Sequence, residues 1–582
     1  MVCWLRQFLP GALVFSFITL AAQPAEMRTP FERDTNYSAT YPEVIAYYQE
    51  LAASSDKIRM QPFGMTDSGF PLHEIILSAN GEFDPVALRQ ANKSILFINN
   101  GIHAGEPCGV DASMLFVRDL LQGTINPALW QDVVLVLIPF YNIGGALNRD
   151  AYSRANQVGP AEHGFRGNAK NLDLNRDFIK SDSKNAQSFQ QLFCKWDPDV
   201  FLDNHTTDGA DYPYIMTIVE SQKDKASPPL GDYMRNEFFP EIYRRLTADG
   251  FPAIPYVNVR NTPDDGIFAF FEGPRFGSGY AALHHTIAMI SEAHMLKTFA
   301  QRVRGAYSLE THLLEILTEQ GDRIHGLRAQ AKKQALEQQD FPVAWEMDRS
   351  QKDSILFSGY EAAYRPSLVS GQNRMYYDHD KTYQKYIPFY NTYVPSRTIR
   401  RPQAYLIPQA YDDIIDRLSW NGVQMRRLSA DTTLDLEMYS IIDYQSPSNP
   451  YEGHYLHTGV KVLAQTRSWT YHTGDYLITT DQPAVRFLIE TLEPQATDSY
   501  FAWNYFDAIL GQKEYFSSYV FEDTAAELLA EDAQLAAEFE AKKKEDPEFA
   551  KNARAQLNFV YQHSPYYEKT FRLYPVGRIL RQ

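Results

Sequence analysis

The hydrophobic positions follow two different patterns along the chain. From about Asp34 to Gln338, short apolar runs alternate with longer stretches in which apolar residues recur every three or four positions, the signature of strands alternating with helices. The clearest strands are "SILFINN" (Ser94 to Asn100), "VVLVLIP" (Val133 to Pro139), "DVFLDN" (Asp199 to Asn204) and "TIAMIS" (Thr286 to Ser291). Nearly every position in them is apolar, as expected of strands buried on both faces. This predicts an α/β domain with a mixed, largely parallel central sheet flanked by helices. Two helical stretches, "HMLKTFAQRVRGAYSLETHLLEILTEQ" and "GLRAQAKKQALEQQ", close it near residue 340. Beyond them tyrosine and proline become frequent, which predicts β-rich structure with proline-punctuated turns and tyrosines in cross-strand packing. "DTAAELLAEDAQLAAEFEAKKKEDPEF" then reads as a helix broken at Pro547.

The amino terminus changes this picture by adding a leader. "MVCWLRQFLPGALVFSFITLAAQPAEM" has Arg6 in a short basic region, an apolar stretch from Phe8 to Leu20, and small residues suited to cleavage near Ala22. The expected organisation is therefore a bacterial-type signal peptide at 1–22, a catalytic α/β domain at 23–340 and an accessory region of unassigned role at 341–582. That implies a periplasmic or secreted protein with no membrane span in the mature chain. Only Cys108 and Cys194 would remain, which allows one bridge between them but no disulfide framework.

Composition mainly excludes. A chain of 582 residues with 44% hydrophobic content has ample core for more than one domain. The formal net charge of -17, with an isoelectric point near 5.3, makes the surface repel phosphate backbones. No basic stripe interleaved with aromatics is present, so nucleic acid is not an expected partner.

Candidate chemistry gathers where the apolar strands end. "SILFINN" leads into His103 and Glu106 of "HAGE", "DVFLDN" into His205, and "TIAMIS" into Glu292. Ligands of an open α/β sheet bind beyond the carboxyl ends of its strands, so these four groups share one rim if the strands are parallel neighbours. Two imidazoles and a carboxylate form the ligand set of a catalytic zinc. In "HAGE", Gly105 is read as the turn between two ligands, and Pro107 suits the start of the following helix. Each residue alone has a plainer reading: chance for HxxE, a core histidine for His205, a capping carboxylate for Glu292. Their combination is what points to a metal. His284, His285 and His294 do not repeat the strand-end placement and are read as non-ligands. "GFRGNAKNLDLNRDF" adds a polar loop with Arg166, Asn175 and Arg176.

Taken together, "HAGE", "NLDLNRDF", "DNHTT" and "ISEAH" resemble, in order, the zinc carboxypeptidases of the M14 type over roughly residues 40 to 320. The resemblance implies Zn2+ on His103, Glu106 and His205, with Glu292 as general base. It implies that Asn175 and Arg176 hold a substrate carboxylate, that Arg166 polarises the carbonyl, and that Tyr280 caps the substrate. Arg275 is expected near the specificity pocket. The implied activity is an exported metallocarboxypeptidase acting on peptides with a free C-terminal carboxylate. The alternatives are an amidase or deacylase of the same fold, acting on cell-wall peptides or N-acyl amino acids, and a non-catalytic peptide- or glycan-binding protein. Intact ligand and base positions weigh against the last.

Overall fold

The four apolar runs become the four adjacent parallel strands of an eight-stranded mixed sheet. The structure is a computed structural model that describes residues 27–581, so the leader expected at 1–22 lies outside the described residues. In chain order the strands are β1 (Ile58–Met65), β2 (Pro71–Leu77), β3 (Ser94–Asn100), β4 (Val133–Ile138), β5 (Val200–Thr207), β6 (Met216–Glu220) and β7 (Ala253–Pro255). Next come β8 (Ile267–Phe268), which leaves to join another sheet, and β9 (Ile287–His294). The sheet order is β1-β2-β4-β3-β5-β9-β6-β7. Strands β4, β3, β5 and β9 run parallel, while β1, β2 and β6 make antiparallel contacts.

Alternation along each strand builds a separate core on each face of the sheet. Leu96 and Ile98 join a cluster with the helices Cys108–Gln122 and Phe299–Glu337, whereas Ile95 and Phe97 join an aromatic cluster with Phe178, Phe189, Phe193, Phe201 and Tyr280. The second cluster does not stop at residue 340. It continues into Tyr405, Ile414, Phe487 and Trp503, so the accessory region shares a core with the first domain.

The accessory region is strand-rich and then helical, as expected. It contains β10 (Asp340–Met347), β11 (Asp353–Pro366), β12 (Asn373–Tyr390) and β13 (Tyr393–Arg400), followed by a six-stranded sheet. Two helical expectations need correction. The two stretches before 340 are one 39-residue helix, Phe299–Glu337, because a side chain at Gly321 would collide with Ser94 of β3 and the glycine admits that close approach. The late helix breaks at Asp532 as well as at Pro547, since the Asp532 carboxylate accepts from the backbone N–H groups of Gln534 and Leu535 and starts a new helix. No helix among the described residues is long and apolar enough to cross a membrane.

The parallel strand ends are tied by a buried polar knot. Asn204 of β5 donates to Asn100 of β3 at 2.9 Å and to Glu310 at 3.1 Å, and accepts from Ser291 of β9 at 2.6 Å. Ser113 donates to Glu310 at 2.6 Å. Burial pushes the Glu310 carboxyl up to about 8. Its folded value lies above the unfolded one, so the stability it contributes is complete below about pH 4 and is lost as pH rises through 8. Glu310→Gln keeps the acceptor and removes the titration. The thermal midpoint of the variant should therefore fall less than that of the wild type between pH 5 and 8, and parallel curves would contradict this account.

Candidate active site

The rim beyond β3, β5 and β9 is built from alternate residues of parallel strands. Asp203 and His205 lie two apart on β5 and so on one face. The β5–β9 register sets His205 opposite Glu292. After β3 the chain turns through His103 and Glu106 before the helix Cys108–Gln122, with Pro107 as its N-cap. Gly105 lies in the turn between the two candidate ligands, closed by the Glu106 N–H donating to the His103 carbonyl at 2.9 Å, and its backbone there is not left-handed. A side chain at that position would strike the Arg154 side chain and the Gly164 carbonyl, so the need is for space.

Three of these groups converge. His103, Glu106 and His205 are all buried, and one ligand atom from each lies within 4.8 Å of the others. Glu106 Oε2 stands 3.2 Å from His103 Nδ1 and 3.3 Å from His205 Nδ1. The far nitrogens face carboxylates: His103 Nε2 donates to Asp173 Oδ1 at 2.9 Å, and His205 Nε2 lies 3.2 Å from Asp203 Oδ2. In His103 the outer nitrogen is fixed by a carboxylate and Nδ1 is left as a lone-pair donor beside Glu106; His205 Nε2 faces Asp203 without making a hydrogen bond, and its Nδ1 also points to Glu106. The donor set suits zinc, with three protein ligands and room for a fourth. Glu106 also accepts from Arg154 at 2.8 Å and from the Thr206 N–H at 2.9 Å. Against the cost of burial, His103 and Arg154 hold its carboxyl well below the usual range.

These groups open onto a cavity of about 480 Å³ that also includes Arg166, Asn175, Arg176, Tyr256, Phe270, Glu272, Phe276 and Glu292. Burial pushes the Glu292 carboxyl up to about 8; Glu106 and Glu272 add to the rise, and His205 and Arg166 oppose it. Arg166 donates to Asp173 through Nε at 3.0 Å and Nη2 at 2.8 Å, which leaves Nη1 3.3 Å from His103 Nδ1. Arg176 lies over the Phe276 ring, 4.5 Å from its centroid, and donates to the Asn175 carbonyl at 2.7 Å. Asn175 Oδ1 is buried without a hydrogen-bond partner. Asp173 belongs to the Asp-x-Asn-Arg element legible in the sequence, whereas Asp203, Arg154, Tyr256 and Glu272 are not singled out by it. Asp203 could have been found from its i,i+2 spacing to His205; Tyr256 and Glu272 carry no comparable signal.

The family model described as zinc carboxypeptidase, Peptidase M14, matches residues 44–206. Carboxypeptidase 2 of Trichophyton rubrum is 20% identical over 448 residues, covering 74% of this chain and 77% of that protein. Carboxypeptidase 2 of Trichophyton equinum is 21% identical over 429 residues, covering 70% and 73%. Among solved structures, a metallo-carboxypeptidase from Pseudomonas aeruginosa, in complex with (2-guanidinoethylmercapto)succinic acid, aligns at 16% identity with a TM-score of 0.37, over 49% of this chain and 70% of that one.

Tyr280 is not part of the cavity. It is fully buried among Phe178, Phe189, Phe193 and His284, and its hydroxyl donates to Asn421 at 2.7 Å. Its position on the short helix Gly277–Leu283 turns it away from the rim and into the aromatic core. Arg275 is likewise committed elsewhere, to Asp498 at 2.7 Å and to the faces of Tyr451 and Trp503. His284, His285 and His294 stay outside the metal cluster, and Cys108 and Cys194 are both free. Tyr280→Phe should cost about 1–3 kcal/mol of stability by leaving the Asn421 oxygen without its donor, with turnover within about twofold of wild type, since the ring keeps its packing. A tenfold fall in turnover at unchanged melting temperature would return Tyr280 to the site.

Proposed function

We propose that this chain, whose residues 44–206 are those of an M14-type zinc metallopeptidase domain, is a metallocarboxypeptidase that removes residues from peptides with a free C-terminal carboxylate. The observation that carries the reading is the meeting, in one cavity, of the His103, Glu106 and His205 cluster with Glu292, Arg166, Asn175 and Arg176. We further read the run at 1–22 as its export signal.

When bound by His103, Glu106 and His205, zinc supplies Lewis acidity toward water and a carbonyl oxygen. Glu292 faces the same cavity with a carboxyl of raised pKa, which suits a group that takes a proton near neutral pH and returns it to a leaving amine. Arg166 is held by Asp173 so that Nη1 points to the cluster, 3.3 Å from His103 Nδ1 and 3.5 Å from Glu106 Oε1, where it stabilises negative charge developing on the carbonyl oxygen. Asn175 and Arg176 line the cavity together. The guanidinium fork fits a carboxylate better than a lysine would. The Phe276 face beneath Arg176 limits its swing.

Two measurements test this reading. Chelation should abolish peptidase activity and added zinc restore it, while Glu292→Gln should keep one zinc per chain and lose about 100-fold or more in kcat. Loss of zinc from that variant would make Glu292 a ligand and the assigned roles wrong. The second comparison concerns Arg176. A terminal amide in place of the carboxylate forfeits a charge-assisted contact worth about 1.5–3 kcal/mol, so kcat/KM should fall by at least about tenfold. Arg176→Ala should harm the free acid strongly and the amide little. Equal cleavage of both substrates by the wild type, with equal damage in the variant, would favour the amidase.

A further inference from the structure

The cavity wall that carries Arg166, Asn175 and Arg176 is held from outside the first domain. In the accessory region, residues 451–454 form a tight turn closed by mutual backbone hydrogen bonds between Tyr451 and His454, at 2.7 and 3.1 Å. Glu452 and Gly453 both take left-handed backbone, with φ of 50° and 81°. For glutamate this conformation is costly and persists only where the surroundings impose it.

The surroundings do so at several points. His454 Nε2 donates to Asp182 at 2.8 Å, and Tyr455 and Asn504 exchange hydrogen bonds at 2.8 and 2.9 Å. Tyr451 stacks on Trp503, and Arg275 lies against both rings. The turn presents the Glu452 carboxylate to the first domain, where Oε2 accepts from the Asp173 backbone N–H at 2.8 Å.

Asp173 is the hub of the wall. Its Oδ1 accepts from His103 Nε2 and from the Asn175 N–H, both at 2.9 Å, and its Oδ2 accepts from Arg166. Rotation or retreat of this one residue would release the outer nitrogen of His103, the guanidinium of Arg166 and the start of the Leu174–Arg176 turn together. Within the first domain the side chain of Asp173 has these partners, but its backbone N–H is anchored by Glu452.

We propose that Glu452 is a positioning residue of the metal site: it fixes Asp173 and through it the orientation of His103, so the accessory region completes the centre from outside the first domain. The proposal rests on the zinc reading above and adds a residue 279 positions away from the one it holds. The opposite wall is gripped in a similar way. β8 pairs with β12, the Ala269 N–H donates to the Tyr390 carbonyl at 2.8 Å, and Tyr393 donates to the Ala269 carbonyl at 2.9 Å. Phe270 and Glu272 of the cavity follow directly along that segment.

The test uses the full chain stripped of metal, with zinc affinity read by competition against a chromogenic chelator. Partners that orient a histidine ligand are worth about 10–100-fold in metal affinity, and Glu452 acts one step further out, so Glu452→Ala should weaken zinc binding by about tenfold. Glu452→Gln keeps an oxygen acceptor and should bind within about threefold of wild type, since the acceptor and not the full charge is what the N–H needs. In an Asp173→Ala background, Glu452→Ala should add no further loss, because the carboxylate through which it acts is gone. Hydrogen exchange of the 166–176 segment should quicken in Glu452→Ala and not in Glu452→Gln. Zinc affinity of Glu452→Ala within twofold of wild type would overturn the proposal, as would full additivity with Asp173→Ala. A wild type that binds no zinc would overturn the metallopeptidase reading itself, a result distinct from either.

Discussion

The arrangement of β3, β5 and β9 as parallel neighbours in a fixed register is the constraint on which the rest depends. A slip of one residue would reverse every side chain, sending His205 and Glu292 to the opposite face. Apolar packing alone would tolerate a slip poorly, but the polar knot excludes it by geometry. Asn100, Asn204 and Ser291 occupy equivalent positions on the three strands and are bonded across them. Slipped strands would leave buried amides without partners, at a cost of about 1–3 kcal/mol each. Asn99 and Asp203, bonded at 3.0 Å on the other face, add a second lock.

That lock places an unusual concentration of charge in little space. Glu106, Asp173, Asp203, Glu272 and Glu292 surround two imidazoles and the guanidinium of Arg166. Asp173 and Glu106 keep their protons off because they face His103 and arginines, whereas Glu272 and Glu292 are pushed up to about 7 and 8 by burial. Carboxylates of one chemical type are thereby divided into ligand or orienting groups and groups able to carry a proton. The division comes from environment: in Glu106 and Asp173 direct contacts with cations overcome the cost of burial, and in Glu272 and Glu292 burial outweighs the cations nearby.

The accessory region bears on this site through contacts rather than through the cavity lining. Every residue lining the cavity comes from before residue 300. Yet part of that lining, including Arg154, Arg166, Phe270 and Glu272, lies outside the strands on loops, and loops need external support to hold a geometry. The support is the 451–454 turn on one wall and the β12 and Tyr393 contacts on the other. A shared aromatic cluster, running from Phe178 and Tyr280 through Tyr405 to Trp503, makes the two parts one packed body, so that these contacts are not free to drift.

Much of this was legible along the chain, and the reason is locality. A buried parallel strand is a short unbroken apolar run whatever surrounds it, so β3, β4, β5 and β9 could be found within a few residues of their ends. The rule that ligands gather beyond carboxyl ends then picked out His103, Glu106, His205 and Glu292. Arg166, Asn175 and Arg176 were found because they sit in one contiguous loop. What local pattern could not decide was the direction in which a side chain leaves a short irregular element. Tyr280 and Tyr256 look alike in sequence; one turns into an aromatic core and the other lines the cavity. Arg275 was spent on Asp498, and the need for Gly105 came from Arg154, neither partner being near in sequence. Glu452 lay furthest from reach, because a hydrogen bond between a turn and a backbone N–H 279 residues apart leaves no periodicity, spacing or composition behind it.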